Sequence, residues 1–325
     1  MDPSSILGAS TIFEFRISEF GFRISESSLD SYLKSPIRNS QSEIPDLPIG
    51  IFDSGVGGLT VYRALHERLP SEHFVYLGDT ARVPYGTKSL STVERYAIEN
   101  AKFLEAHGIK LLVVACNTAS ALALPAIRKA VSVEVIGVIG PGARAATRIS
   151  TGKKIGVIAT EATVQSGAYS SAIAGIDDAI EVIERACPLF VPLAEEGWAG
   201  TDVARTVGEQ YLSDLKNKDL GALVLGCTHY PILRDLIGEI IGIDIPLIDS
   251  GDAAAREVQT LLHSSELAAA GSEGNISERR LCDDLDHFYV TDAAERFAKV
   301  AERFLGTAPS VLEAVEIWGH DELQT

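Results

Sequence analysis

From Ile49 onward, the chain alternates short apolar runs of strand length with longer amphipathic stretches of helix length. This alternation is typical of βα units, which build a parallel sheet covered by helices. The predicted strands cover residues 49–53, 73–78, 110–116, 133–139, 154–159, 181–185, 222–227 and 245–249. The predicted helices cover residues 59–69, 91–107, 118–130, 162–174, 202–217, 231–241, 252–270 and 292–305. The sequence therefore predicts an α/β fold with mainly parallel sheets flanked by helices.

Two of the predicted strands end in the same way. Leu112–Thr118 reads LVVACNT and Leu223–His229 reads LVLGCTH, with a cysteine at the equivalent position of each. A second pair of runs, Ile49–Ser54 and Ile155–Thr160, is also alike, and its separation along the chain is nearly the same. These repeats predict an internal duplication, in which each of two similar halves presents one thiol at the end of a strand.

Polar side chains follow several of the predicted strands. They are Asp53, Ser54, Asp79, Cys116, Asn117, Thr160, Cys227, Thr228 and His229. Ligands of parallel α/β sheets bind beyond the carboxyl ends of the strands, so we expect these side chains to face a binding site. The glycine-rich turn that starts at Asp53 can offer free backbone N–H groups to an anion, or it can be a simple turn that caps a helix.

The matched cysteines, Cys116 and Cys227, suggest proton transfer at carbon. A thiol that precedes a helix is favoured as thiolate, and two thiols across a cleft could remove a proton from one face of a carbon and supply one to the other. A structural role at a strand end is the simpler alternative. A metal site of both cysteines with His229 and Asp53 lacks any Cys-x-x-Cys or His-x-x-x-His spacing. A Cys–His hydrolase would leave Cys116 without a role.

Composition limits the classes of partner. A formal net charge of −17 disfavours nucleic acids, whose phosphates need basic patches. No apolar run reaches the 18 residues or so of a membrane span, and no secretory signal is evident at the N-terminus. Four cysteines in 325 residues suit a reducing compartment. We therefore expect a cytoplasmic protein that binds neither nucleic acid nor membrane.

Residues 1–46 differ from the rest of the chain. They are rich in serine, and the run FRISE at Phe15–Glu19 recurs at Phe22–Glu26. We interpret this segment as an N-terminal extension that is disordered or loosely docked. A regulatory arm and an artefact of start-site choice are the alternatives.

Several motifs together resemble one family. They are Gly50–Val61, Pro84–Gly86, Ala115–Thr118, Cys187–Leu193 with Glu195, Gly226–Pro231 and His287–Asp292. In these segments, which span residues 49–317, the chain resembles the glutamate racemases. These enzymes need no cofactor and supply D-glutamate for peptidoglycan.

The resemblance implies two similar, pseudo-symmetric α/β domains with the active site in the cleft between them. The first domain would comprise residues 47–140 and 250–317, and the second residues 141–249, with residues 318–325 as a tail. The implied partner is the small molecule glutamate, with no cofactor and no metal. A homodimer is one assembly that the resemblance allows.

The resemblance also assigns roles to residues. Cys227 would deprotonate L-glutamate and Cys116 would deprotonate D-glutamate, while Asp53, Glu195 and His229 would tune the two thiols. The implied substrate contacts are Asp53, Ser54, Pro84, Tyr85, Gly86, Asn117, Thr118, Thr160, Thr163 and Thr228.

Three alternatives remain open. The first is a racemase of aspartate or another acidic amino acid. The second is a decarboxylase of the same fold, which typically needs a single catalytic cysteine and so leaves the second thiol unexplained. The third is a binding protein that has kept the fold but lost catalysis.

Overall fold

The computed structural model describes residues 41–269 and 279–317. Residues 44–315 form one compact unit. A second unit comprises residues 1–43 and 316–325, of which the structure describes only 41–43 and 316–317. Most of the predicted N-terminal extension and the tail from residue 318 therefore lie outside the described residues, as does the segment 270–278.

The first sheet is parallel throughout, with the strand order β10-β9-β2-β1-β3-β4. Its strands are β1 (Ile49–Asp53), β2 (Phe74–Gly78), β3 (Leu111–Val114), β4 (Glu134–Gly137), β9 (His287–Val290) and β10 (Leu312–Ala314). Every residue of β1, β2 and β3 is buried, because helices cover both faces of the sheet. This burial explains why these strands appear in the sequence as continuous apolar runs.

The second sheet is also parallel and has the strand order β6-β5-β7-β8. Its strands are β5 (Lys154–Ala159), β6 (Val182–Ala186), β7 (Leu220–Gly226) and β8 (Leu247–Asp249). The order β6-β5-β7-β8 repeats the order β2-β1-β3-β4 of the first sheet. The strands paired by the sequence repeats, β1 with β5 and β3 with β7, therefore occupy equivalent places.

Twelve α-helices connect the strands in the described part of the chain. They are α1 (Leu59–Arg68), α2 (Leu90–Ala106), α3 (Asn117–Leu122), α4 (Leu124–Ala130), α5 (Ile139–Ser150), α6 (Glu161–Ser166), α7 (Ala168–Ala174), α8 (Phe190–Glu195), α9 (Asp202–Leu212), α10 (Arg234–Ile241), α11 (Ser250–Ser264) and α12 (Ala294–Leu305). Short 3₁₀ helices lie at Gln41–Asp46, Tyr85–Thr87, Leu215–Asn217 and Tyr230–Leu233. None of the described helices combines the length and apolar character needed to cross a membrane.

The element boundaries differ from the sequence prediction at a few places with clear causes. The predicted helix 162–174 is two helices, since Gly167 adopts φ 62°, a left-handed conformation that ends α6. Helix α5 was not predicted, because Gly140-Pro141-Gly142 resembles a turn. A proline in the first turn of a helix is tolerated, since the N–H that it lacks would have no partner there. Strands β9 and β10 were also missed.

The prediction of an α/β fold with parallel sheets flanked by helices is confirmed. The proposed domain boundaries at residues 140 and 249 stay a prediction, because both sheets belong to the compact unit 44–315.

Candidate functional site

A cavity of about 220 Å³ lies where strands of both sheets end. In each sheet the strand order reverses direction beside the first strand, between β1 and β3 and between β5 and β7. Such a reversal opens a crevice at the carboxyl ends, where α/β proteins bind ligands. Predicted site residues that line the cavity are Ser54, Pro84, Tyr85, Gly86, Cys116, Asn117, Thr118, Thr160, Glu195, Cys227, Thr228 and His229. The structure therefore brings most of the predicted site together.

Two predicted residues, Asp53 and Thr163, are buried behind the cavity wall and do not line it. Oδ2 of Asp53 accepts a hydrogen bond of 2.9 Å from the N–H of Gly55, while Oδ1 has no hydrogen-bond partner among the described residues. Burial raises the pKa of Asp53, and the charge of His229 opposes this shift. Both residues can influence the cavity through its lining.

Several lining residues were not predicted from the sequence. They are Gly55, Val83, Thr87, Glu161, Pro188, Val191 and Pro192. Each lies beside a predicted residue or inside a motif that carried the family resemblance. Proximity in sequence to a predicted residue or motif is therefore the signal that could have identified these lining residues.

Cys116 is the N-cap of α3, and its Sγ lies 3.5 Å from Oγ of Ser54. Burial and the nearby carboxylate of Asp53 raise the pKa of Cys116 to about 12, although hydrogen bonds with the Ser54 hydroxyl and the Ala119 N–H act in the opposite direction. Position before a helix was expected to favour the thiolate, and for Cys116 this expectation is wrong, since burial outweighs the helix start. Cys116 is a neutral thiol near neutral pH.

Cys227 begins a chain of polar contacts that reaches the protein surface. Its Sγ lies 3.8 Å from Nδ1 of His229, and Nε2 of His229 lies 3.0 Å from Oε1 of Glu195. Oε2 of Glu195 in turn accepts a hydrogen bond of 3.3 Å from Arg296 of α12. The two cysteines thus lie in different electrostatic surroundings.

The imidazole of His229 is cationic near neutral pH. Burial disfavours its charge, but contacts with Cys227 and Glu195 outweigh burial and raise the pKa of His229 to about 10. Burial likewise opposes the ionisation of Glu195, but the contact with His229 lowers the pKa of Glu195 overall. A cation therefore lies next to the sulfur of Cys227, where it can stabilise negative charge.

Neutral hydroxyl groups link the two sheets beside the cysteines. Oγ1 of Thr160 lies 3.0 Å from that of Thr118 and 2.9 Å from that of Thr163. Nδ2 of Asn117 donates to the hydroxyl of Tyr169 at 2.8 Å and to that of Ser250 at 3.2 Å. Among these residues, Asn117, Thr118 and Thr160 line the cavity and can hydrogen-bond the carboxylate or ammonium group of a small polar ligand.

One wall of the cavity is fixed by a buried polar network. The hydroxyl of Tyr85 donates to the carboxylate of Asp79, which Arg82 also binds through Nε at 2.9 Å. Nδ2 of Asn100 donates to the Tyr85 hydroxyl at 3.0 Å. The segment Pro84–Gly86 is therefore held in place before any ligand binds.

Potential metal ligands are not clustered in the described part of the chain. There, no three side chains of His, Cys, Asp or Glu are grouped so that they could hold a metal ion. What the cavity offers instead is two sulfur atoms, one cation and several neutral hydrogen-bond donors. This arrangement can move protons to and from a small ligand.

Comparisons with known proteins agree on one family. The family model described as Asp/Glu/hydantoin racemase matches residues 49–258. A curated glutamate racemase of Geobacter metallireducens is 51% identical over 264 residues, which cover 81% of this chain and 94% of that protein.

Solved structures give the same result. A glutamate racemase isoform from Bacillus anthracis has a TM-score of 0.77 and 37% identity, and the match covers 83% of this chain and 98% of that one. A glutamate racemase from Francisella tularensis in complex with D-glutamate has a TM-score of 0.75 and 39% identity, with 84% and 98% coverage. The resemblance drawn from the sequence motifs is confirmed.

Proposed function

This chain belongs to the Asp/Glu/hydantoin racemase family, and we propose that it interconverts L-glutamate and D-glutamate through two cysteines and without a cofactor. One observation carries the proposal. Cys116 and Cys227 follow equivalent strands, β3 and β7, of two sheets with the same strand order, and both line a single cavity. Two thiols that share one small cavity suit a reaction in which one atom loses a proton and regains one.

In the direction from L- to D-glutamate, the thiolate of Cys227 removes the proton from Cα. The electron pair left on Cα is delocalised into the adjacent carboxylate, and the thiol of Cys116 then donates its proton to the opposite face. Cys227 ends as a thiol and Cys116 as a thiolate, so the reverse reaction starts from that state. The high pKa of Cys116 and the cationic His229 beside Cys227 support this assignment for the resting enzyme.

The difficulty of the reaction is the weak acidity of the Cα–H bond. Hydrogen-bond donors fixed where negative charge grows lower the barrier without reorganisation. Ser54, Thr118 and Thr228 line the cavity with hydroxyl groups. These donors would bind the carboxylate that takes up charge from Cα.

The remaining substrate contacts are part of the proposal. Pro84, Tyr85, Gly86, Asn117 and Thr160 line the cavity and are proposed to contact glutamate. Asp53 and Thr163 are proposed to act from behind the wall, Asp53 on Cys116 and Thr163 through the other two threonines. Glu195 is proposed to act on Cys227 through His229.

The biological setting is likewise proposed. We infer that the product D-glutamate serves peptidoglycan synthesis in the cytoplasm, and that the enzyme assembles as a homodimer. The similar F. tularensis enzyme whose structure contains D-glutamate supports glutamate as the substrate.

A screen of enantiomers tests the proposed reaction. The purified chain, without added cofactor, is incubated separately with L-glutamate, D-glutamate and L-aspartate, and circular dichroism follows the loss of optical activity. We expect both glutamate enantiomers to reach a racemic mixture and L-aspartate to stay unchanged. Racemisation of aspartate alone would indicate the rival racemase, release of CO₂ would indicate a decarboxylase, and no change with any substrate would indicate a binding protein.

A further inference from the structure

A threonine outside the cavity holds the segment that carries one of the cysteines. Oγ1 of Thr60, in the first turn of α1, donates a hydrogen bond of 2.8 Å to the carbonyl oxygen of Thr228. The side chain is buried, with 4% of Thr60 exposed. Thr228 lies between Cys227 and His229, so this bond fixes the backbone of the reactive segment.

Gly57, in the turn that precedes α1, lets this contact form. A Cβ atom at Gly57 would lie 2.3 Å from Oγ1 of Thr228 and 2.4 Å from atoms of the His229 ring. Such distances do not occur between real atoms, so only glycine allows the loop to approach this closely. The hydroxyl of Thr60 also approaches the carbonyl oxygen of Gly57, at 3.1 Å, which ties the two contacts together.

The contact joins the two sheets. Gly57 and Thr60 follow β1 of the first sheet, whose neighbouring strand β3 leads to Cys116. Thr228 follows β7 of the second sheet directly after Cys227. The Thr60–Thr228 bond therefore connects the part of the fold that carries one thiol to the backbone that carries the other.

We infer that Thr60 is a positioning residue, which fixes Cys227 and His229 at the place from which Cys227 exchanges a proton with Cα. This inference rests on the proposed racemase function. Thr60 has no proposed contact with the substrate and acts only through the Thr228 carbonyl. The hydrogen bond keeps Cys227 and His229 in position. This matters because a small misplacement of a reacting group slows proton transfer strongly.

Two substitutions separate the hydroxyl from the shape of the side chain. Thr60→Val keeps the shape but removes the donor, and Thr60→Ser keeps the donor in a smaller side chain. We expect Thr60→Val to lower kcat by about tenfold, the effect of one buried acceptor left without its donor, and Thr60→Ser to keep most of the activity. Thr147→Val is the matched control, because the hydroxyl of Thr147 has no hydrogen-bond partner in the described structure.

Isotope effects distinguish misplacement of Cys227 from general damage. L-glutamate deuterated at Cα reports on the step at Cys227, and the D-enantiomer deuterated at Cα reports on the step at Cys116. In Thr60→Val the first isotope effect on kcat/KM should rise and the second should fall, because the step at Cys227 has become the slower one. Equal changes in both would overturn the inference, as would a Thr60→Ser enzyme with the same defect as Thr60→Val.

The reactivity of each cysteine toward an alkylating agent tests the inference without relying on racemisation. Alkylation of each cysteine by iodoacetamide is measured by mass spectrometry of its peptide. In Thr60→Val, the alkylation rate of Cys227 should fall to about one third of the wild-type rate or below, because its sulfur is no longer held beside the imidazole. The alkylation rate of Cys116 should equal that of the wild type. Unchanged alkylation of Cys227 would contradict the inference even if the wild-type protein racemised nothing, whereas a wild type without activity would contradict only the proposed function.

Discussion

The sulfur of Cys227 lies 3.8 Å from Nδ1 of His229, and this contact gives the two cysteines different surroundings. Cys116 instead has the hydroxyl of Ser54 at 3.5 Å and the carboxylate of Asp53 nearby. The positive charge of His229 can stabilise negative charge on the sulfur of Cys227, whereas burial and Asp53 raise the pKa of Cys116. These surroundings suit the proposed mechanism, in which Cys227 takes the proton from L-glutamate and Cys116 donates one.

Replacing either cysteine tests the pair. Cys116→Ser or Cys227→Ser should lower racemisation of both enantiomers by at least about 10², the low end for a positioned acid or base. The measurement is the initial rate of racemisation by circular dichroism. Cys282→Ser is the control, since Cys282 is buried outside the cavity and should keep the wild-type rate. A normal rate in Cys227→Ser would remove this residue from the mechanism.

The raised pKa of His229 predicts how its contribution to stability varies with pH. In the folded protein the pKa is about 10, above its ordinary value of 6.5. The stabilisation is therefore complete below pH 6.5 and is lost as the pH rises through about 10. The wild type should therefore have a higher free energy of unfolding than His229→Asn. This difference should be largest near pH 6.5 and should shrink as the pH rises to about 10. A difference that grew between pH 7 and pH 10 would contradict the assignment.

Gly57→Ala should damage both stability and activity. The added methyl group would collide with Thr228 and the His229 ring, and overpacking of this kind costs about 1–3 kcal/mol. Chemical denaturation measures the loss of stability, and the racemisation rate reports the displacement of His229. Gly200→Ala is the matched control, since nothing lies within 4 Å of its added methyl group and its stability should change by less than about 0.5 kcal/mol.

A buried ion pair outside the cavity lining should affect stability and leave the racemisation rate unchanged. Lys110 and Glu72 pair with almost no exposure of either side chain, and Nζ of Lys110 also donates to the carbonyl oxygen of Leu267 at 2.9 Å. Lys110→Met leaves the carboxylate of Glu72 buried without its cation, although the N–H of Ala269 still donates to Oε1, and this should cost about 3–5 kcal/mol.

Two further variants check this explanation by urea denaturation. Adding Glu72→Gln to Lys110→Met removes the unpaired charge and should recover part of the loss, while the carbonyl oxygens of Pro45 and Leu267 still lack the donor that Lys110 supplied. Lys153→Met removes a cation from an exposed pair with Asp219 and should cost less than about 1 kcal/mol. A double variant as unstable as Lys110→Met would show that the charge of Glu72 is not the cause.

Much of the fold could be predicted because it depends on local patterns. Buried parallel strands such as β1 and β3 are continuous apolar runs, and their repetition as β5 and β7 predicted two similar halves, in which the structure shows the same order of four strands. β10 (Leu312–Ala314) could not be predicted, because three residues carry no strand pattern and its conformation depends on pairing with β9. Helix α5 was missed because its local sequence is misleading: Gly140-Pro141-Gly142 is typical of a turn.

The site was predicted as a set of residues, but not in its electrostatics. Motifs placed Cys116 and Cys227 correctly at strand ends. They could not show that burial beside Asp53 keeps Cys116 protonated, because burial depends on the whole fold. The hydrogen bond between Thr60 and Thr228 could not be predicted either, because it joins segments far apart in the sequence.

Transfer of solvent deuterium tests the two-cysteine account most directly. L-glutamate is incubated with the purified chain in D₂O, and both enantiomers are recovered early and analysed by mass spectrometry. Since the proton removed by one cysteine is not the one donated by the other, the newly formed D-glutamate should carry deuterium at Cα while the remaining L-glutamate carries almost none. D-glutamate that retained the original hydrogen at Cα would show that a single base returns the same proton, and the account would be wrong.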